Sequence, residues 1–113
     1  MHELSITRDM LDLALSEAKK VNARRIGKIS LVIGEMTGVV DDSVRFYFDF
    51  ISKDTIARDA ALIFKKIPMK ARCRSCGREF TVSDLNWVCP ECQGTSLEIT
   101  SGNELYLESI EVE

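Results

Sequence analysis

One histidine, two prolines and no apolar run longer than Ala60 to Phe64 are found among 113 residues. Each shortage removes a class of protein. A five-residue run falls far short of the roughly 20 residues that cross a bilayer, so no transmembrane helix and no membrane partner are expected. The start, Met1-His2-Glu3-Leu4-Ser5, lacks the basic flank and apolar segment of a secretion signal, and the expected location is the cytoplasm. A Ser-His-Asp set cannot be built when the one imidazole sits at a chain end. The length leaves room for one compact domain, or one with a small appendage, and not for a large catalytic fold with a deep cleft. No enzyme is expected. Positive charge is also short: 15 Lys and Arg against 18 Asp and Glu give a net charge of -3 and a pI near 5.2, the wrong sign for a general nucleic-acid binder.

All four cysteines lie close together, as Cys73-Arg74-Ser75-Cys76 and Cys89-Pro90-Glu91-Cys92. A reducing cytosol disfavours disulfides, and two C-x2-C pairs read first as a tetrahedral metal site. Each pair wraps one edge of the tetrahedron, and a hairpin brings the two edges together. Structural zinc is the leading reading, beside a rubredoxin-like iron centre and redox-active dithiols. Four thiolates leave no open position for catalysis. Gly77 and Gly94 suit the left-handed backbone of such knuckles. Six cations lie between Lys65 and Arg78 with no acid. They read either as a phosphate or acidic-partner contact or, more simply, as compensation for the charge of a metal held by four thiolates.

Hydrophobic periodicity sets out the rest. Ile6, Met10, Leu13, Ala14 and Val21 recur at near-helical spacing, predicting an amphipathic helix from Ser5, its N-cap, to about Asn22. Arg25 to Ile33 alternates as a strand closed by Gly34. Asp41 and Asp42 precede a second helix through Ile51, whose clustered aromatics Phe46, Tyr47, Phe48 and Phe50 read as its core contact. Ala60 to Ile67 is a second strand that Pro68 ends or confines to an edge. Glu104 to Val112 is the last. There Leu105 and Leu107 alternate out of phase with Ile110 and Val112, which predicts a bulge or a change of exposure midway. The expected fold is α+β: two helices on a small three-stranded mixed sheet (residues 1–72 with 103–113) and an inserted four-cysteine zinc-ribbon lobe (residues 73–102). Thirty residues are below the about 40 at which independent folding becomes unlikely, so the lobe needs its metal.

His2 directly follows Met1. The Met1 amine, the His2 backbone nitrogen and the His2 imidazole can chelate one metal through two fused rings, a nitrogen set that suits Ni(II) or Cu(II). The amide or carboxylate of Glu3, water or a partner fills the fourth position. The amine and imidazole must be deprotonated, with unperturbed pKa values of about 7.7–8.0 and 6.5, so acid releases the metal.

Met1-His2-Glu3-Leu4-Ser5, Ile33-Gly34-Glu35, Ile67-Pro68, the two cysteine knuckles with Gly77, and Gly102-Asn103-Glu104-Leu105, taken in order, resemble the HypA/HybF family of hydrogenase maturation factors. The resemblance covers essentially the whole chain. It implies a nickel metallochaperone, with transferable Ni(II) at Met1, His2 and Glu3 and structural Zn(II) at Cys73, Cys76, Cys89 and Cys92. It further implies the accessory GTPase HypB as partner and the NiFe hydrogenase large subunit as recipient. Some relatives also serve urease, which adds urease maturation factors as partners, and a homo-dimer stays open. Some members carry histidines beside the knuckles; this chain has Gly77-Arg78 and Gln93-Gly94 there, so a His-for-Cys ligand switch is excluded. The rival readings are a zinc-ribbon nucleic-acid or protein-interaction module using residues 65–78 and an iron-sulfur electron carrier.

Overall fold

The computed structural model describes residues 3–82 and 87–113. Helix α1 (Glu3–Lys20) leads into β1 (Ile26–Gly34), a short 3-10 turn (Glu35–Thr37), α2 (Asp41–Ile51) and β2 (Ala61–Ile67). Strands β3 (Lys70–Cys73), β4 (Glu79–Thr81) and β5 (Leu97–Ser101) follow, and β6 (Leu105–Val112) closes the chain. The first sheet has the order β2-β1-β6, with β1 and β2 parallel and β6 antiparallel to β1; this is the expected three-stranded mixed sheet. A second antiparallel sheet, β4-β3-β5, lies within the cysteine region, where sequence periodicity gave no strand.

Both helices cover one face of the first sheet, and Met10, Leu11 and Ala14 of α1 meet Val44 and Phe48 of α2 over Ile29, Leu31 and Ile33. Helix α1 starts at least two residues before the expected N-cap, which puts Ser5 inside the first turn. Its buried stripe is Thr7, Met10, Leu11, Ala14 and Ala18, while Leu13 and Val21 face solvent, a rotation of about one residue from the expected face. The helix stops where Asn22 turns left-handed (φ 55°) and the Asn22 and Ala23 amides return to the Lys19 and Ala18 carbonyls, the Schellman pattern.

In α2 the sequence reading needs correction. Phe48 is 1% exposed, but Phe46 and Phe50 are each 70% exposed. Phe46 and Phe50 stand about 200° from Phe48 around the helix, so one aromatic can face the sheet only by turning the other two outward. They do not make the core contact.

The final strand resolves its phase conflict by a bulge. Leu105, Leu107 and Ile110 oppose the core-facing Ile33, Leu31 and Ile29, and the extra residue is Glu108. One inserted residue flips the alternation, so both halves of β6 present apolar side chains to the helices.

Where the two sheets meet, backbone touches backbone. A Cβ on Gly34 would lie 2.1 Å from the Gly102 carbonyl oxygen, and Gly102 itself is left-handed (φ 114°) against Met69. The Met36 amide donates to the Gly102 carbonyl (2.7 Å), the Gly34 amide to the Glu104 carbonyl (2.6 Å), and the Met69 amide to Glu35 Oε2 (3.3 Å). Three short motifs of the sequence, Ile33-Gly34-Glu35, Ile67-Pro68 and Gly102-Asn103-Glu104, thus converge on one junction.

Urea unfolding separates the aromatics of α2. Phe48→Ala should cost about 3–5 kcal/mol through the cavity it leaves, whereas Phe46→Ala should change stability by no more than ~0.5 kcal/mol.

Candidate metal centre

The four cysteine sulfurs lie within 4.8 Å of one another, with Cys73 to Cys92 at 3.5 Å and Cys76 to Cys89 at 3.6 Å. A tetrahedron with metal–sulfur bonds near 2.3 Å has edges of about 3.8 Å, so the cluster is close to the size that a bound ion demands. The two knuckles are built alike. The Gly77 amide donates to the Cys73 carbonyl and the Cys73 amide to the Arg78 carbonyl; the Gln93 amide donates to the Cys89 carbonyl and the Cys89 amide to the Gly94 carbonyl. The equivalent left-handed residues are therefore Gly77 (φ 78°) and Gln93 (φ 60°). Gly94 is not the left-handed residue. Its lack of a side chain makes room, since a Cβ there would lie 3.3 Å from the Cys92 sulfur and 3.6 Å from that of Cys73. Arg78 and Glu91 tie the knuckles together on the surface at 2.8 Å.

Cys73 and Cys89 are buried, and Cys76 and Cys92 exposed. Without a metal the four thiols cannot ionise together. The Cys76 amide, more than any other group, holds Cys73 down to about 6, and the Cys92 amide lowers Cys89 in the same way. At Cys92 the largest influence is the Gly94 amide, which favours the thiolate, but Cys73, burial and the other two sulfurs together outweigh it and push the thiol up to about 12. Cys76 is likewise raised: the Arg78 amide favours its thiolate and is overcome by Cys89, burial and Cys73. The shifts thus run in opposite directions within the cluster, down at Cys73 and Cys89 and up at Cys76 and Cys92, because the sulfurs disfavour one another's ionisation. A divalent cation at the centre removes that repulsion, so the donor set fits a thiophilic ion.

At the opposite end of the sequence, Met1 and His2 lie outside the described residues. Glu3 is the first residue of α1, and its Oε2 accepts from the Val40 amide at 3.4 Å, joining the start of α1 to the start of α2. The next residue, Asp41, escaped the sequence reading except as a helix-start acid. Its Oδ1 is buried and lacks a hydrogen bond; Lys66 Nζ approaches it to 3.3 Å, off the hydrogen-bond direction. The basic run is largely compensated by carboxylates: Lys65, Lys66, Arg72 and Arg78 lie within 4 Å of Glu108, Asp41, Glu79 and Glu91.

Residues 1–112 match the family described as "Hydrogenase/urease nickel incorporation, metallochaperone, hypA". The chain belongs to the HypA family. A protein of Dehalococcoides mccartyi strain 195 named hydrogenase maturation factor HypA is 50% identical over 113 residues, covering 100% of this chain and 95% of that protein. One of the same name from Caldanaerobacter subterraneus subsp. tengcongensis is 42% identical with full coverage of both. Among solved structures, the solution structure of the Ni metallochaperone HypA from Helicobacter pylori superposes with a TM-score of 0.67 at 28% identity, covering 99% of this chain and 97% of that one. A second HypA solution structure gives 0.73 at 28% identity, with 100% and 97% covered. HypA proteins are metallochaperones of hydrogenase maturation rather than enzymes.

Stripping metal from the four cysteines with a chelator should unfold the small sheet, whose knuckles would lose the ion that joins them. Amide exchange by NMR should then show β3, β4 and β5 unprotected while β1, β2 and β6 keep their protection; simultaneous loss in both sheets would contradict separate folding.

Proposed function

We propose that this HypA protein carries Ni(II) at its N-terminus and passes it to the NiFe hydrogenase large subunit, with Zn(II) as the resident ion of the four thiolates. The observation that carries the reading is that the four-sulfur site is closed. Four sulfurs within 4.8 Å of one another can supply all four corners of a tetrahedron, which suits a structural ion and leaves no corner for handing on cargo. Transferable metal then needs other ligands, and the only imidazole is that of His2. The Met1 amine, the His2 amide and imidazole nitrogens and a donor from Glu3 make a nitrogen-rich set that suits nickel. Glu3 supports this placement, because its contact with Val40 fixes the base of the chelating segment against α2.

Such a site is made of few atoms, which favours exchange over retention. Copper ranks above nickel for these ligands, so correct loading depends on metal supply and on docked partners. HypB is the proposed accessory GTPase, the cytoplasm the proposed setting, and urease maturation a second outlet that the family's description includes. The neutralised basic run gives a nucleic-acid role little footing: four of its cations already face carboxylates.

His2→Ala should abolish nickel binding in calorimetry while zinc content and circular dichroism stay unchanged. Extending the N-terminus by one residue should do the same without altering a side chain, because it removes the amine from the chelate. Retained affinity in both proteins would end the proposal.

A further inference from the structure

A groove runs between α1 and β6, and at one end it also touches Val39 and Val44 at the start of α2. One cleft of about 250 Å³ reaches from Asp9 and Leu13 to Leu105, Tyr106 and Leu107, and a second of about 280 Å³ continues from Leu13 and Glu17 to Leu107 and Ile110. The two share Leu13 and Leu107, so they are one channel along the strand. Its apolar floor is open: Leu13 is 47% and Leu105 41% exposed. Strand β6 is also the edge of its sheet, so alternate backbone N–H and C=O groups point away from β1 along the mouth of the groove.

The helix wall has a regular pattern. Asp9, Leu13 and Glu17 are four residues apart and form one row, acid, apolar, acid, spaced by about 6 Å along the axis. Side chains on one face of an extended strand repeat every about 6.6 Å. A strand laid against the edge of β6 therefore matches this row position for position. Glu108 adds a further acid on the strand wall, while the nearby cations, Lys20 on Glu17 and Lys65 on Glu108, are held in exposed pairs that exchange readily. A second copy of β6 is a poor occupant, because the strand carries Glu108 and Glu111 and no cation, and antiparallel self-pairing would bring carboxylates together. The Glu108 bulge limits regular pairing to short stretches on either side, favouring a short peptide over a long strand.

We propose that the groove between α1 and β6 binds an extended segment of a partner protein by strand addition, with Lys or Arg two residues before and two residues after an apolar residue. The apolar side chain covers Leu13 and Leu107, and the two cations meet Asp9 and Glu17. This reading is independent of the nickel site and stands or falls without it.

The test uses the full-length zinc-loaded protein and a fluorescein-labelled heptapeptide with lysines two residues either side of a central leucine and threonines elsewhere. Anisotropy should show saturable binding that weakens with salt and shifts the Leu105–Leu107 amides in NMR. The double variant Asp9→Lys with Glu17→Lys, at two exposed positions, should lose at least tenfold in affinity for this peptide. It should gain affinity for the version with glutamates in place of the lysines. Methylating alternate backbone nitrogens of the peptide should abolish binding, as strand pairing requires. Absence of binding, equal binding of the lysine and glutamate peptides, or unchanged affinity in the double variant would overturn the proposal. So would sedimentation showing that the groove is instead filled by a second copy of this chain.

Discussion

Gly34 and Gly102 meet with no side chain between them, and much of the architecture follows from that approach. The contact fixes where β1 ends relative to the return of the chain into β6, and hence which residue of β6 faces Ile33. From the same point the 3-10 turn at Glu35–Thr37 carries Val39 and Val40 towards α2 and the Glu3 carboxylate. The Met36 amide on the Gly102 carbonyl and the Met69 amide on Glu35 bind both connections to the small sheet. Any Cβ at Gly34 would have to displace a peptide group rather than a flexible side chain, so the cost falls on the backbone of both sheets at once.

The cysteine cluster is organised by charge. Knuckle amides favour the thiolate at Cys73 and Cys89, whereas the neighbouring sulfurs and burial oppose it at Cys76 and Cys92. The proposed N-terminal site would draw on different chemistry, nitrogen donors with a donor from Glu3, so the two proposed ions would not compete for one ligand set.

Much of this was legible in the sequence because it rests on local pattern. The spacing of the cysteines announced a four-sulfur site, alternation announced β1 and β2, and the broken phase of Leu105, Leu107, Ile110 and Val112 announced the bulge that Glu108 provides. What stayed hidden depends on the partner of each residue. Periodicity alone cannot choose between Leu13 and Leu11 as the buried member of a turn; the packing of α1 on both α2 and β6 decides it. The aromatics of α2 look equivalent as letters, yet only Phe48 lies over the sheet. Gly94 resembled a turn residue, and only the position of the sulfurs shows that it is a space. Strands β3 and β4 are three or four residues long, too short for a pattern to stand out, whereas β5 does alternate, with Leu97 and Ile99 opposed to Glu98 and Thr100, a signal the sequence reading passed over.

The unequal burial of the four cysteines has a kinetic side. Each knuckle contributes one enclosed sulfur, Cys73 or Cys89, and one at the surface, Cys76 or Cys92. An ion held by all four would be enclosed on the side of Cys73 and Cys89 and open along one edge, the line between Cys76 and Cys92. An incoming thiol or chelator has only that edge to attack.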